Sequence, residues 1–164
     1  MKMRGNRPLS ANQTPHESIR RAGPADAGAI RELTRAAYAK WVLVIGREPL
    51  PMTADYDRAV REHRIDLLFS GSRLAALVEI VEAGDHWLIE NLAVNPDLQG
   101  LGHGKRMLAH AENEAVRSKI AEMRLYTNQR FAANIRFYLA HGYSIDREEP
   151  FKGGFLTHMS KRIS

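Results

Sequence analysis

Apolar and polar positions follow two different periods along this chain. A period near 3.6 residues, typical of a helix with one buried face, occurs over 24–41, 54–63, 103–120 and 130–141. Short apolar runs bounded by turn residues, typical of strands, separate these segments. The predicted strands are 17–22, 66–70, 73–82, 87–94, 123–128, 143–145 and 155–160. The pattern therefore predicts a mixed α/β fold of about seven mostly antiparallel strands flanked by about four helices.

The segment between the first two helices shows no period. Residues 42–52 contain two prolines and one glycine among apolar residues, so we predict a loop that packs against the domain. Thr53 then stands where a helix N-cap is expected, with Asp55 and Asp57 in the following turn.

Composition adds limits to this picture. The 164 residues, 44% of them hydrophobic, suit one domain over 17–164, and residues 1–16 lack any period and are predicted to be a flexible tail. No apolar run approaches 18 residues, so we expect no membrane span. The chain has no cysteine, which excludes disulfides and a thiol nucleophile and fits a cytoplasmic protein.

The positive charge is concentrated at the amino end. Residues 1–23 carry five basic side chains against Glu17 and so hold most of the formal net charge of +5. The rest of the chain is nearly neutral, whereas a nucleic-acid-binding domain should show a basic stripe of its own. We therefore expect no nucleic-acid partner.

The segment 87–106 carries the clearest chemical signal. An apolar strand ends at Asn95-Pro96, three glycines follow at alternate positions, and a helical period begins at His103. A strand, a glycine turn and a helix N-terminus together form an anion site, because the first helical amides lack partners and glycine lets a ligand approach the backbone. A phosphate or pyrophosphate is the expected ligand.

Two common phosphate motifs do not fit this turn. A Walker A loop would need glycine at Gln99 and serine or threonine at Arg106, and a Rossmann fingerprint starting at Gly100 would need glycine at Lys105. The nucleotide-binding classes defined by these motifs are therefore excluded.

The turn Q-G-L-G-H-G resembles the signature [Q/R]-x-x-G-x-[G/A] of the GCN5-related N-acetyltransferase (GNAT) superfamily, and the order of predicted elements over 17–162 is also similar. The resemblance implies the GNAT fold and acetyl-coenzyme A as acyl donor, with its pyrophosphate at this turn. The residues that it assigns to pyrophosphate binding are Gln99, Gly100, Leu101, Gly102, His103, Gly104 and Lys105.

Further donor contacts follow from the same resemblance. The backbone of Leu92, Ala93 and Val94 is expected to pair with the pantetheine arm, and Asn134 to contact it from the last helix. Tyr138, four residues after Asn134 and so on the same helix face, is the expected acid that protonates the departing thiolate. A purely structural Tyr138 is the alternative.

Glu90 interrupts an apolar strand just before the turn. A carboxylate there is costly unless it faces a wet cleft or has a partner. Acetyl transfer needs an uncharged amine, so we predict that Glu90 assists deprotonation, a structural carboxylate being the alternative. Strand alternation predicts Glu90 on one face with Leu92 and Val94, and Asn91 with Ala93 on the other.

The acceptor site is less clearly marked. The first two helices, their connection and the final hairpin shape it in the family, which suggests Tyr38, Trp41, Arg47, Glu48 and His158. Arg47-Glu48 could recognise a zwitterionic or charged amine, or form a surface ion pair. The histidines lack metal-ligand spacing, and no metal is expected.

These observations predict an acetyl-coenzyme A-dependent N-acetyltransferase acting directly on a primary amine of a small molecule. A peptide or protein acceptor is the alternative among enzymes, and a non-catalytic coenzyme A-binding regulatory module is the alternative from another class. The resemblance also allows a homodimer.

Overall fold

The computed structural model describes residues 15–164. Most of the tail predicted over 1–16 therefore lies outside the described residues. The described part contains one seven-stranded sheet and five α-helices, which confirms the mixed α/β fold. The strands are β1 Glu17–Arg21, β2 Arg64–Ser70, β3 Arg73–Ala83, β4 His86–Val94, β5 Glu122–Asn128, β6 Ser144–Phe151 and β7 Gly154–Arg162. The helices are α1 Ala27–Ile45, α2 Leu50–Thr53, α3 Tyr56–Glu62, α4 His103–Arg117 and α5 Ala132–Ala140.

The sheet order is β1-β2-β3-β4-β5-β7-β6. All neighbouring strands are antiparallel except β4 and β5, which are parallel and connected through α4. The parallel pairing covers only Trp87 to Ile89 of β4. Beyond Ile89 the two central strands separate, and this gap positions the site described below.

Helices cover both faces of the sheet. On one face α4 buries an apolar stripe against β3, β4 and β5; its members are Met107, Leu108, Ala111 and Ala115. On the other face α1 buries Ile30, Leu33 and Ala37 against a second cluster that includes Tyr56 of α3. The central strands are therefore buried between two helical layers.

The connection after α1 differs from its prediction as a loop. Helix α1 continues through 42–45 and ends at Gly46, whose φ of 73° and N–H···O bond to Val42 at 2.8 Å form a left-handed cap. The apolar stripe stops earlier, and Leu43 is 94% exposed, so periodicity alone could not show the extension.

The start of α3 also differs from the prediction. Thr53 ends the short helix α2, and Asp55 is the N-cap of α3, accepting the Arg58 amide at 3.1 Å. The predicted cap at Thr53 is wrong because Asp55 lies closer to the first helical turn and supplies the same kind of oxygen.

The final hairpin is longer than predicted. Strand β6 runs to Phe151 instead of ending at residue 145. The prediction was too short because β6 is an edge strand, and its charged, exposed residues do not show the alternating apolar pattern. Tyr143, predicted to begin this strand, lies just before it and is buried.

Candidate active site

The glycine turn requires left-handed backbone at two positions. Gly100 and Gly102 have φ values of 78° and 82°, which L side chains rarely adopt. A Cβ atom added to either residue would meet no atom within 4 Å, so the turn lies open on this side. The upstream chain is held by Asn95, whose side chain accepts the Asp97 amide at 3.0 Å.

Helix α4 begins directly at this turn. Gly102 is its N-cap, and the Arg106 amide bonds to Gly102 O at 3.0 Å. The amides of His103, Gly104 and Lys105 precede this bond and therefore have no partner within the helix. These amides and the positive end of the helix dipole form a site for an anion, with the exposed Lys105 beside it.

His103 contributes differently through its backbone and its side chain. Its amide belongs to the open helix N-terminus, whereas its imidazole is only 4% exposed and turns into the protein. Its Nδ1 lies 3.5 Å from Glu17 Oε1, beyond a good hydrogen bond. We therefore predict that His103 contacts an anion through its backbone amide and not through its imidazole.

A β-bulge interrupts β4 next to this turn. Glu79 of β3 pairs with Asn91, but the next residue, Ile80, pairs with Ile89. Glu90 is the additional residue between the two pairs. The bulge ends strict alternation along β4.

The bulge changes which way Glu90 faces. Glu90 and Asn91 line the same cavity, and Asn91 donates to Thr34 of α1 at 3.1 Å. Leu92 and Val94 pack instead against the cluster beneath α4. The prediction that Glu90 shares a face with Leu92 and Val94 is therefore wrong, because the extra residue shifts the pleat between them.

The gap between β4 and β5 is a narrow cleft. Since their pairing ends at Ile89 and Leu125, the β4 backbone from Glu90 onwards has no strand partner on that side. Asn134 and Tyr138 of α5 line the cleft together with Glu90 and Leu92. The structure thus brings the two predicted catalytic residues to one cleft.

Tyr138 enters this cleft from a buried aromatic group. Its ring packs edge-on against Phe137 and Tyr143, at centroid distances of 5.2 and 5.4 Å. Burial raises the pKa of the Tyr138 hydroxyl well above its usual value of 10.0, so the phenol is protonated at neutral pH. The hydroxyl can therefore donate a hydrogen bond in the cleft, although its raised pKa makes it a weaker acid than an exposed tyrosine.

Two carboxyl groups lie near the cleft on neighbouring strands, Glu90 on β4 and Glu79 on β3. Glu90 Oε1 accepts a hydrogen bond of 3.0 Å from the Tyr126 hydroxyl. Glu79 is only 3% exposed, and its Oε1 lies 2.7 Å from His63 Nδ1. Burial raises the pKa of Glu79, although the His63 contact opposes the shift.

Sequence reasoning missed Glu79, His63 and Tyr126. Glu79 carried a usable signal, because it stands alone in the apolar run of β3 just as Glu90 does in β4. His63 and Tyr126 had none, since only packing between distant segments brings His63 to Glu79 and Tyr126 to Glu90.

A cavity of about 530 Å³ opens beside the cleft. Its walls come from the connection after α1, from α3, from the centre of the sheet and from the tip of the β6–β7 hairpin. Tyr38, Glu90 and Tyr126 line both spaces, so cavity and cleft are continuous.

The predicted acceptor residues divide into two groups. Tyr38 and Arg47 line the cavity. Trp41 stacks on Phe131 at 4.6 Å, Glu48 pairs with Arg35 at 2.6 Å, and His158 pairs with Glu149 at 2.6 Å. These last three do not line the cavity, which narrows the acceptor prediction to Tyr38 and Arg47.

Among residues 15–164, no helix is long and apolar enough to cross a membrane. The same residues contain no cluster of three or more histidine, cysteine or carboxylate side chains arranged to hold a metal ion.

This arrangement is the one expected of an acetyltransferase: an open glycine turn joins β4 to α4, and β4 separates from β5 beside it. The sequence matches the acetyltransferase (GNAT) family over residues 29–143, and the chain belongs to this family. Comparison with curated protein sequences gives no match.

Solved acetyltransferases share the fold. PaiA N-acetyltransferase from Thermoplasma acidophilum, in complex with coenzyme A, superposes with a TM-score of 0.77 over 90% of this chain and 99% of its own, at 19% identity. Ribosomal-protein-S18-alanine N-acetyltransferase from Escherichia coli gives 0.75 over 91% and 95%, at 21% identity. Nourseothricin acetyltransferase gives 0.70 over 90% and 99%, at 17% identity.

Proposed function

We propose that this acetyltransferase transfers an acetyl group from acetyl-coenzyme A directly to a primary amine of a small molecule. The observation that carries the proposal is the placement of Glu90 and Tyr138 on one cleft between the splayed strands. A base for the amine and an acid for the thiolate then stand beside the same reacting carbonyl.

The donor fits the open turn and the splayed strand. The amides of His103, Gly104 and Lys105 bind the pyrophosphate, helped by the open left-handed turn at Gly100 and Gly102. Gln99 and Leu101 complete this turn. The pantetheine arm lies along Leu92, Ala93 and Val94, whose backbone lacks a β5 partner, and Asn134 contacts it from α5.

The acceptor approaches through the larger cavity. An alkyl ammonium with a pKa near 10 must lose a proton before it can attack. Glu90 takes that proton, the nitrogen forms a bond to the acetyl carbon, and the carbon–sulfur bond breaks. Tyr138 gives its proton to the departing thiolate, and the nitrogen loses its second proton to solvent, from which Tyr138 is reprotonated. The products are an amide, free coenzyme A and the proton held by Glu90.

The cavity supports a small acceptor. Its volume of about 530 Å³ lies within the usual range for small-molecule sites. The tip of the β6–β7 hairpin contributes Phe151 and Leu156 to its wall.

The proposal is tested by thiol release with acetyl-coenzyme A and a panel of amino acids, polyamines, aminoglycosides and peptides, with the acetylated product identified by mass. We expect turnover with small amines and intersecting lines in double-reciprocal plots, as direct transfer requires. Turnover restricted to peptides would assign a protein acceptor. Tight coenzyme A binding without thiol release would assign a regulatory module.

A further inference from the structure

The charged groups on the cavity wall are mostly neutralised by one another. Glu79 contacts His63 at 2.7 Å, and Glu62 pairs with Arg58 at 2.8 Å. Asp55 caps α3 through the amide of Arg58. Each of these carboxylates therefore already has a partner within the protein.

Apart from Asp55, whose partner is the backbone amide of Arg58, two lining charges lack an oppositely charged partner among residues 15–164. Glu90 accepts only the neutral Tyr126 hydroxyl, and Arg47 has no carboxylate within 4 Å. Glu48, the neighbour that could have paired with Arg47, is held by the two terminal nitrogens of Arg35 at 2.6 and 3.2 Å. The Arg47 guanidinium lies instead 5.5 Å from the centre of the Phe151 ring.

These two charges lie at different ends of the cavity. Tyr126, the partner of Glu90, pairs with His158 of β7, whereas Phe151, beneath Arg47, pairs with Gly154. His158 and Gly154 are four residues apart, which corresponds to roughly 13 Å of strand. The cavity therefore presents a carboxylate near the cleft and a free guanidinium towards the hairpin tip.

We propose that the acceptor carries an anionic oxygen group, a carboxylate or a phosphonate-like group, at the end opposite its reactive amine. Arg47 binds this group while the amine lies at Glu90. A guanidinium recognises oxyanions through two parallel hydrogen bonds, and the cation–π contact with Phe151 favours the position of Arg47 at this end of the cavity. This inference rests on the proposed N-acetyltransferase function and specifies its substrate class.

The test uses the full-length protein and acetyl-coenzyme A with ω-amino carboxylates of increasing chain length. Each is compared with its amide, with the diamine of the same length and with the matching aminoalkylphosphonate. We expect kcat/KM for the carboxylate or phosphonate to exceed that of the amide about 10- to 100-fold, mainly through KM, with a maximum at an intermediate length. A preference for one anion over the other identifies which group Arg47 binds.

Arg47→Gln should lower kcat/KM for the carboxylates and phosphonates to about that of the amides, mainly by raising KM, and Arg47→Lys should retain part of the preference. Arg31→Gln is the matched control, because Arg31 also belongs to the α1 region but pairs with Asp57 outside the cavity. Amides or diamines that equal or exceed the anions at every length would overturn the inference and leave the N-acetyltransferase function intact. Absence of thiol release with every amine would overturn the proposed function itself.

Discussion

The Tyr126 hydroxyl donates a hydrogen bond of 3.0 Å to Glu90 Oε1 across the gap between β5 and β4. Burial, and then the negative charge of Glu90, raise the pKa of Tyr126, so the phenol remains a donor over the working pH range. The bond holds one carboxylate oxygen, and the other is the one that we propose takes the proton of the acceptor amine. A bulge and a strand separation are both needed to bring these two residues together.

Replacing Glu90 by glutamine should remove the proposed base without changing its shape. We expect kcat/KM to fall about 100-fold at pH 7 and the deficit to shrink as pH rises towards the pKa of the amine near 10, where the free amine no longer needs a base. The measurement is a pH–rate profile of both proteins. Glu82→Gln, on an exposed part of β3, serves as control. If the ratio of the two kcat/KM values were the same at every pH, Glu90 would have a structural role and would not be the base.

Tyr138→Phe should lower kcat about 100-fold while leaving coenzyme A affinity nearly unchanged, because only the proton to the thiolate is lost. Tyr143→Phe is a matched control: its ring touches that of Tyr138, but its hydroxyl is buried without a partner among the described residues. The control should retain activity and melt roughly 2–4 °C higher, since an unsatisfied buried group is removed. Equal turnover in Tyr138→Phe and wild type would remove Tyr138 as the acid.

Gly102→Asp should abolish acetyl-coenzyme A binding by placing a negative charge in the anion site. Gly84→Asp controls for backbone strain, because Gly84 also has a positive φ, of 73°, and open space around it. Both variants should lose about 1 kcal/mol of stability. Acetyl-coenzyme A at 100-fold excess over its Kd should raise Tm by roughly 5–10 °C for Gly84→Asp and not for Gly102→Asp. A shift retained in Gly102→Asp would place the pyrophosphate elsewhere.

Asp26 should contribute stability that depends on pH. The bidentate contact with Arg20 and the amide of Gly23 lower the pKa of Asp26 from 3.8 to about 2. Because the folded-state pKa is lowered, the contribution is present above about pH 4 and is lost as pH falls towards 2.

Urea unfolding measures this contribution. Asp26→Asn should cost about 1 kcal/mol at pH 7, a value reduced for the exposure of Arg20, and the cost should diminish as pH falls from 4 towards 2. Asp57→Asn, which breaks the more exposed pair with Arg31, should cost less at every pH. A pH-independent cost for Asp26→Asn would show that ionisation is not its cause.

Local sequence was sufficient to predict the strand, the glycine turn and the start of α4. The strand, the turn at Gly100 and Gly102 and the start of α4 are consecutive, and each depends on backbone preferences within a few residues. The apolar periods likewise identified most elements, because they record which face each one buries. The short helix α2 and the true length of β6 were missed where exposed residues hide the period.

Tertiary structure determined the shape and the lining of the cleft and of the larger cavity. The bulge at Glu90 depends on how β4 pairs with β3, and the cleft depends on where β4 and β5 separate; strand alternation records neither. Arg47 and Glu48 are neighbours in sequence, yet one lines the cavity while the other binds Arg35. The sequence by itself therefore determined the family, the fold and the glycine turn, because apolar periods and backbone preferences are local. Packing between distant segments determined which charges face the cavity.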